Sequence, residues 1–176
     1  MHPSEFDEAW EDDLSSRERE EQKLGETILT APIRELEPPP AALVADSATI
    51  ESVIQLMLER GLGAVLVQRE GRIAGIFTER DVLRRVVSLA MSRERPVAEV
   101  MTPDPETLGP DDGIAFALNR MTVGGFRHIP IVDDKGSSPA VLSQRDVVNF
   151  IVSRLPSRIL NLPPEPHLEA HSEDGG

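Results

Sequence analysis

The sequence predicts an α/β protein made of two tandem copies of one β-α-β-β-α unit. Signals for a helix, a hairpin and a second helix follow one another in that order, and the same order recurs 65 residues later. The two ends of the chain have a different, acidic composition. The 176 residues suffice for two small units that share a core.

In the first unit, residues 27–91, apolar side chains recur at helical spacing after two possible N-caps, Asp46 and Ser47. The stripe ends at Gly61 and consists of Ile50, Val53, Ile54, Met57 and Leu58. Apolar residues at i, i+3, i+4 and i+7 predict an amphipathic helix with one buried face.

Two β-prone runs, residues 64–67 and 73–77, follow this helix and enclose the turn Glu70-Gly71. They predict a β-hairpin. Thr78 can then cap a second helix. The second unit, residues 95–155, repeats the order with a helix from Asp111 or Asp112 to Gly124-Gly125, strands near residues 128–132 and 139–142, and a helix over residues 144–154.

Composition and charge exclude several classes of function. The formal net charge is −13, which argues against a nucleic-acid partner. No apolar run is long enough to span a membrane, and there is no cysteine. Acidic residues crowd the N-terminal extension, residues 1–26, and a Pro-rich tail covers residues 156–176. We expect a soluble cytoplasmic protein with flexible acidic tails.

One local motif occurs in both units where a strand leads into a helix. It reads Thr78-x-x-Asp81 in the first unit and Ser143-x-x-Asp146 in the second. A hydroxyl at the N-cap with an acid three residues later stabilises a helix start whether or not a ligand exists. The same groups also suit a nucleotide, because a helix start accepts phosphate and a carboxylate can accept both ribose hydroxyls. An arginine inside each motif adds a phosphate donor.

These segments resemble the signature of the cystathionine-β-synthase-type (CBS) domain. The resemblance lies in Gly75-Ile76-Phe77-Thr78-Glu79-Arg80-Asp81, in Ala140-Val141-Leu142-Ser143-Gln144-Arg145-Asp146, and in the strand segment Phe126-Arg127-His128-Ile129-Pro130-Ile131-Val132-Asp133. It covers residues 28–155. It implies a Bateman module, in which two units pack about a pseudo-twofold axis and clefts between them bind an adenine nucleotide such as AMP, ADP or ATP.

The resemblance also implies roles for individual residues. Ribose would be held by Asp81 and Asp146. Phosphate would be met by Thr78, Arg80, Ser143, Arg145 and Arg127. The adenine would be flanked by the backbone of Gly63, Ala64, His128 and Ile129, with Thr49 or Pro105 near the mouth of the cleft. The family further implies a homodimer and a regulated protein partner, and no catalytic residue.

Departures from the family pattern fall mainly in the second unit. Ala140 stands where the pattern has glycine, and Ser137-Ser138-Pro139 replaces an apolar run. The gap-free alignment of the two units also places Gly63 opposite His128. We therefore expect the Asp81 half-site to be better formed than the Asp146 half-site.

Three alternatives remain open from the sequence. The cleft could bind S-adenosylmethionine or NAD, because their extra groups attach beyond the ribose. The chain could instead be a structural dimerisation module with an empty cleft. An enzyme is the third alternative, although no nucleophile with an adjacent activating base emerges, and the histidines show no metal-binding spacing, so no catalytic or metal site is predicted.

Overall fold

The computed structural model describes Lys23, residues 25–133 and residues 139–154. The predicted C-terminal tail, almost all of the N-terminal extension, and Ser137 and Ser138 lie outside these residues. The described residues form a mixed α/β fold of two tandem units, as the sequence predicts. No helix among them is long and apolar enough to cross a membrane.

The first unit begins after α1 (residues 25–30) and a 3-10 turn, Ile33–Leu36. It consists of β1 (Leu43–Ala45), α2 (Ile50–Arg60), β2 (Ala64–Arg69), β3 (Arg72–Thr78) and α3 (Glu79–Val87). Helix α3 is α-helical for one turn and π-helical from Val82 to Val87. The Ser88 amide donates to the Leu83 carbonyl, five residues earlier, at 3.1 Å. This is the hydrogen bond that defines a π-helical turn.

The second unit has the same order of elements but a regular final helix. After a 3-10 turn, Val97–Glu99, it consists of β4 (Thr102–Pro103), α4 (Ile114–Gly124), β5 (His128–Ile131), β6 (Ala140–Ser143) and α5 (Gln144–Arg154). Helices α2 and α4 both end at a glycine with positive φ, Gly61 at 62° and Gly125 at 66°. Glycine adopts this conformation without a Cβ penalty, so both helices stop there.

The two sheets interlock because each unit receives a strand segment from outside it. Strand β1 pairs in parallel with β2, and β3 pairs antiparallel with both β2 and β4. Thus β4, the first strand of the second unit, completes the first sheet. Reciprocally, Pro40, which precedes β1 in the first unit, bridges to Ala140 beside the β5–β6 pair. This exchange of strand segments holds the two units next to each other.

The repeat has two offsets rather than one. Helices α2 and α4 begin at Ile50 and Ile114, and their buried positions match at an offset of 64 residues. The capping boxes at Thr78 and Ser143 match at 65 residues. The gap-free alignment is therefore wrong before β6, because the second hairpin is one residue longer. The structural counterpart of Gly63 is Arg127, not His128.

Each unit has its own aliphatic core, and a small third cluster joins them. The first core surrounds Phe77 and the second surrounds Leu142, both fully buried. Ile28 and Ile33 precede β1 yet pack into the second core. The joining cluster consists of Ala64, Leu66 and Ile76 with Val141 of the second unit against it. The contact between the two cores is therefore apolar and small.

Candidate functional site

Helix α3 begins with a complete capping box. The Thr78 amide donates to Asp81 Oδ2 at 3.0 Å and the Thr78 hydroxyl donates to the same oxygen at 2.7 Å. The Asp81 amide in turn donates to Thr78 Oγ1 at 3.3 Å. Asp81 is 7% exposed and is the one buried charged residue among those described. This carboxylate is a structural cap as well as a candidate ligand group.

Helix α5 begins in the same way. The Ser143 amide and hydroxyl donate to Asp146 Oδ2 at 2.8 and 2.6 Å, and the Asp146 amide donates to Ser143 Oγ at 3.2 Å. Asp146 is partly exposed. The two motifs found in the sequence thus fold into matching structures.

Backbone hydrogen bonds use further amides at both helix starts. The Glu79 amide donates to the Gly63 carbonyl at 3.2 Å, and the Gln144 amide donates to the Arg127 carbonyl at 2.9 Å. Two of the first three amides of each helix are therefore satisfied within the protein. Any phosphate here would depend more on arginine side chains than on the helix start that the motif suggested.

Two clefts run between the units, and each joins the capping box of one unit to the glycine turn of the other. The Asp81 cleft combines Thr78 and Asp81 with residues 124–128 and has a volume of about 460 Å³. The Asp146 cleft combines Ser143 and Asp146 with residues 61–64 and has a volume of about 640 Å³. Both volumes lie in the range of small-molecule sites.

Charged side chains line the Asp81 cleft densely. Its cationic residues are Arg80, Arg84, Arg85 and Arg127. Arg80 donates to the Gly125 carbonyl across the seam. Glu106, at the far wall, receives two hydrogen bonds from the Arg120 guanidinium, which lower the pKa of the Glu106 carboxyl. The cleft is polar, and several of its charges already have partners.

The Asp146 cleft is lined by fewer charged side chains. Arg127 and Arg145 are its cations, and both are exposed. Its apolar wall is formed by Pro39, Pro40, Ala41, Ala42, Leu62, Ala64, Val141 and Val148. An apolar wall beside a hydroxyl, a carboxylate and two arginines matches the parts of a nucleotide: base, ribose and phosphate.

His128 lies on the seam and lines both clefts, as do Gly63, Glu79 and Arg127. A Cβ built on Gly63 would lie 2.8 Å from His128 Nε2, so glycine makes room for the imidazole. Burial lowers the pKa of His128, opposed by the nearby carboxylates of Glu79 and Asp146 and reinforced by Arg127 and Arg80. The ring is therefore neutral at pH 7.

The structure brings most of the predicted site residues to the clefts, but not all. Ile129 is fully buried in the second core and lines neither cleft. Thr49 caps α2 by accepting from the Ser52 amide and also lies outside both clefts. Pro105 lines the Asp81 cleft. Among the described residues, no cluster of three or more His, Cys, Asp or Glu could hold a metal ion.

Sequence reasoning missed two groups of cleft residues. Residues 39–42 precede β1, and no local pattern indicates that they cross to the second sheet. Arg85 lies four residues after Asp81, a spacing that places two side chains on one helix face. Its Nε is 3.5 Å from Asp81 Oδ1, and its Nη1 donates to the Val100 carbonyl at 2.9 Å and to that of Met101. The spacing of four residues between Asp81 and Arg85 is therefore the sequence signal that could have identified Arg85 as a cleft residue.

Comparison with known proteins identifies the repeat. The CBS domain model matches twice, over residues 33–88 and 97–153. A CBS domain-containing protein of Arabidopsis thaliana is 34% identical over 113 residues, which are 64% of this chain and 20% of that protein. The chain thus spans about a fifth of the length of this curated relative.

Solved structures agree with the sequence comparison. A protein with CBS domains from Burkholderia ambifaria superposes with a TM-score of 0.61 at 30% identity, covering 72% of this chain and 92% of its own. A CBS domain protein from Pyrobaculum aerophilum complexed with AMP has a TM-score of 0.61 at 23% identity, covering 70% and 97%. The chain belongs to the CBS domain family, as a tandem pair of CBS domains.

Proposed function

We propose that this chain is a non-catalytic regulatory module of the cytoplasm that binds an adenine nucleotide in the clefts between its CBS domains. The observation that carries the proposal is the pairing, in each cleft, of a hydroxyl–carboxylate helix start from one unit with the glycine turn of the other. A ligand in that position touches both units. Its binding energy would depend on how the units sit against each other, which is the basis of a regulatory response.

The chemistry of a nucleotide fits the groups that line the clefts. A carboxylate that lines a cleft can accept hydrogen bonds from the two ribose hydroxyls. Exposed arginines at the rim, Arg80, Arg127 and Arg145, would pair with phosphate oxygens in bidentate fashion. The backbone around Gly63, Ala64 and His128 would flank the base. Ile129 would support this wall from the core without touching the ligand.

A relative supports the class of ligand. The CBS domain protein of Pyrobaculum aerophilum was solved with AMP, and it shares the fold of this chain. The regulated protein is a further proposal: we expect the module to change its affinity for a partner protein when the clefts fill, and we assign no catalytic residue.

Thermal unfolding with AMP, ADP, ATP, NAD and S-adenosylmethionine, each in a separate series, tests this function. A ligand at 100 times its Kd adds about 2.7 kcal/mol to stability. For a chain of this size that corresponds to a rise in Tm of roughly 5–10 °C. The double variant Asp81→Ala with Asp146→Ala should lose the rise. Asp112→Ala, which removes a carboxylate that accepts from the Gly109 amide outside both clefts, should keep it.

The series also separates the alternatives. A rise in Tm with S-adenosylmethionine or NAD alone would support the clefts as the binding site and would replace the adenine nucleotide with that compound as the ligand. No rise with any of the five would contradict nucleotide binding and favour a structural module with an empty cleft.

We also propose a homodimer formed through the helices. Large apolar side chains are exposed along α2 to α5, among them Leu58 (70%), Leu83 (66%) and Val123 (72%). Leu83 and Val148 occupy equivalent positions after the two capping boxes, and so do Val87 and Val152. A surface that repeats itself suits pairing with a second copy. Sedimentation analysis should give a dimer that Leu83→Lys with Val148→Lys dissociates; an unchanged mass would contradict it.

A further inference from the structure

We propose that the two clefts bind unequally: nucleotide occupies the Asp146 cleft, and Arg85 keeps the ribose position of the Asp81 cleft filled. The inference rests on the proposed function. It adds that one residue, Arg85, determines how many nucleotides each chain binds. It reverses the order expected from the sequence, in which the Asp81 half-site is the better formed.

The carboxylate of Asp81 has little capacity left for a ligand. Its Oδ2 accepts from the amide and the hydroxyl of Thr78. Its Oδ1 forms an ion pair with Arg85 Nε at 3.5 Å. The Asp81 side chain is 11% exposed. Two ribose hydroxyls would have to displace the guanidinium from the one oxygen that Thr78 does not use, and this exchange costs the ion pair of a largely buried carboxylate.

Arg85 is held in that position from the other side as well. Its Nη1 donates to the backbone carbonyls of Val100 and Met101, in the segment that leads into β4. The guanidinium therefore bridges the start of α3 to the strand that completes the first sheet. Displacing it would leave two carbonyls without this donor, so the bridge resists an entering ribose more than a surface ion pair does.

Asp146 has the same cap without the bridge. The residue four positions after it is Phe150, which is 7% exposed and packs in the second core. Arg154 covers the Phe150 ring, with its guanidinium carbon 3.4 Å from the ring centroid. In the described part of the chain, no arginine or lysine forms an ion pair with Asp146. Its Oδ1 can therefore accept both ribose hydroxyls without displacing a cation.

The surroundings of the two carboxylates favour the same assignment. The Asp146 cleft is larger, about 640 against 460 Å³, and fewer charged side chains line it. Arg145 lines this cleft and not the other, and Arg127, which lines both, stands beside it for phosphate. In the Asp81 cleft the capping carboxylate and Glu106 both already contact arginines.

Isothermal titration with AMP, and in parallel with ATP, tests the assignment through stoichiometry. The wild type should bind one nucleotide per chain. Asp146→Asn should lower the affinity at least tenfold, whereas Asp81→Asn should change it less than threefold. Arg85→Phe, which copies the second unit, should raise the stoichiometry to two. Arg84→Ala removes a cation from the same cleft but leaves the bridge intact, so it should stay at one.

The outcomes separate the two proposals. Two sites in the wild type, or a loss of binding with Asp81→Asn rather than Asp146→Asn, overturn the unequal assignment and leave the proposed function standing. No heat with either nucleotide overturns both. If Arg85→Phe does not fold, the two Asn variants decide the question, since asparagine retains a side-chain acceptor at each cap.

Discussion

The two capping boxes have the same hydrogen bonds but opposite surroundings. Directly after Asp81 the helix becomes π-helical, and an arginine one turn later reaches back to the carboxylate. Around Asp146 the helix is regular, and the corresponding residue is a phenylalanine that faces the core. The comparison shows that the duplicated motif starts a helix in both units, while the residue one turn later differs. We propose that this later residue decides whether the same carboxylate can serve a ligand.

The largest expected effects are losses of stability from substitutions in the two cores. These losses should be similar in the two units. Phe77 and Leu142 occupy equivalent positions on β3 and β6 and are fully buried. We expect Phe77→Ala to cost about 3–5 kcal/mol and Leu142→Ala about 2–5 kcal/mol, because each leaves a cavity. Guanidinium denaturation measures both. A cost below 1 kcal/mol in one unit would show that its core does not support the fold.

The strand glycine of the first unit gives a smaller and asymmetric effect. A Cβ on Gly75 would overlap Met101 Sδ and lie 2.9 Å from the Thr102 carbonyl oxygen, so β4 would have to move. We expect Gly75→Ala to cost about 1–3 kcal/mol through overpacking. The reverse change at the equivalent position, Ala140→Gly, should cost only about 0.5–1 kcal/mol. Equal losses in thermal denaturation would contradict the packing difference.

The two cap hydroxyls allow a closer comparison. Thr78→Ala and Ser143→Ala each remove one donor to a carboxylate and one acceptor from a helix amide, and a lost cap costs about 1 kcal/mol. The loss should be greater at Thr78, because Asp81 is more buried than Asp146. Urea denaturation of both variants measures the difference, and a greater loss at Ser143 would reverse the interpretation.

The smallest expected effect is a pH dependence that arises at the seam. Burial lowers the pKa of His128 below its usual value near 6.5, so the unfolded chain binds the proton more readily than the folded chain. The stability that His128 contributes is complete above pH 6.5 and falls as the pH drops toward its folded pKa. His128→Gln should flatten the stability profile between pH 7 and 5. A profile unchanged by the substitution would contradict the burial of the ring.

Much of the fold could be predicted from the sequence because local signals agree with it. The caps at Thr78 and Ser143 and the buried positions Ile50, Val53 and Met57 lie where they were expected. Two predictions for α2 were wrong: Thr49, not Asp46 or Ser47, caps the helix, and Leu58 is 70% exposed rather than part of the buried face. The alignment between units was one residue off before β6, since apolar runs such as Ile129 to Val132 tolerate a shift of one position. Contacts set by tertiary packing, such as Pro40 with Ala140, leave no local trace.

The candidate site was predicted less completely than the fold. Asp81 and Asp146 belong to equivalent motifs, which predict the same role for both, so the expected ranking depended on Ala140 and the residues before it. Strand β6 nevertheless forms from Ala140 to Ser143 in continuous pairing with β5. The proposed ranking depends instead on Arg85, one helical turn later, which is held by the carbonyls of Val100 and Met101.

A crystal structure of the full chain with AMP tests the central claim most directly. The account predicts AMP in the Asp146 cleft, its ribose hydroxyls on the Asp146 carboxylate and its phosphate beside Arg127 and Arg145, with Arg85 still in contact with Asp81. AMP with its ribose on Asp81 and Arg85 turned away would contradict the claim.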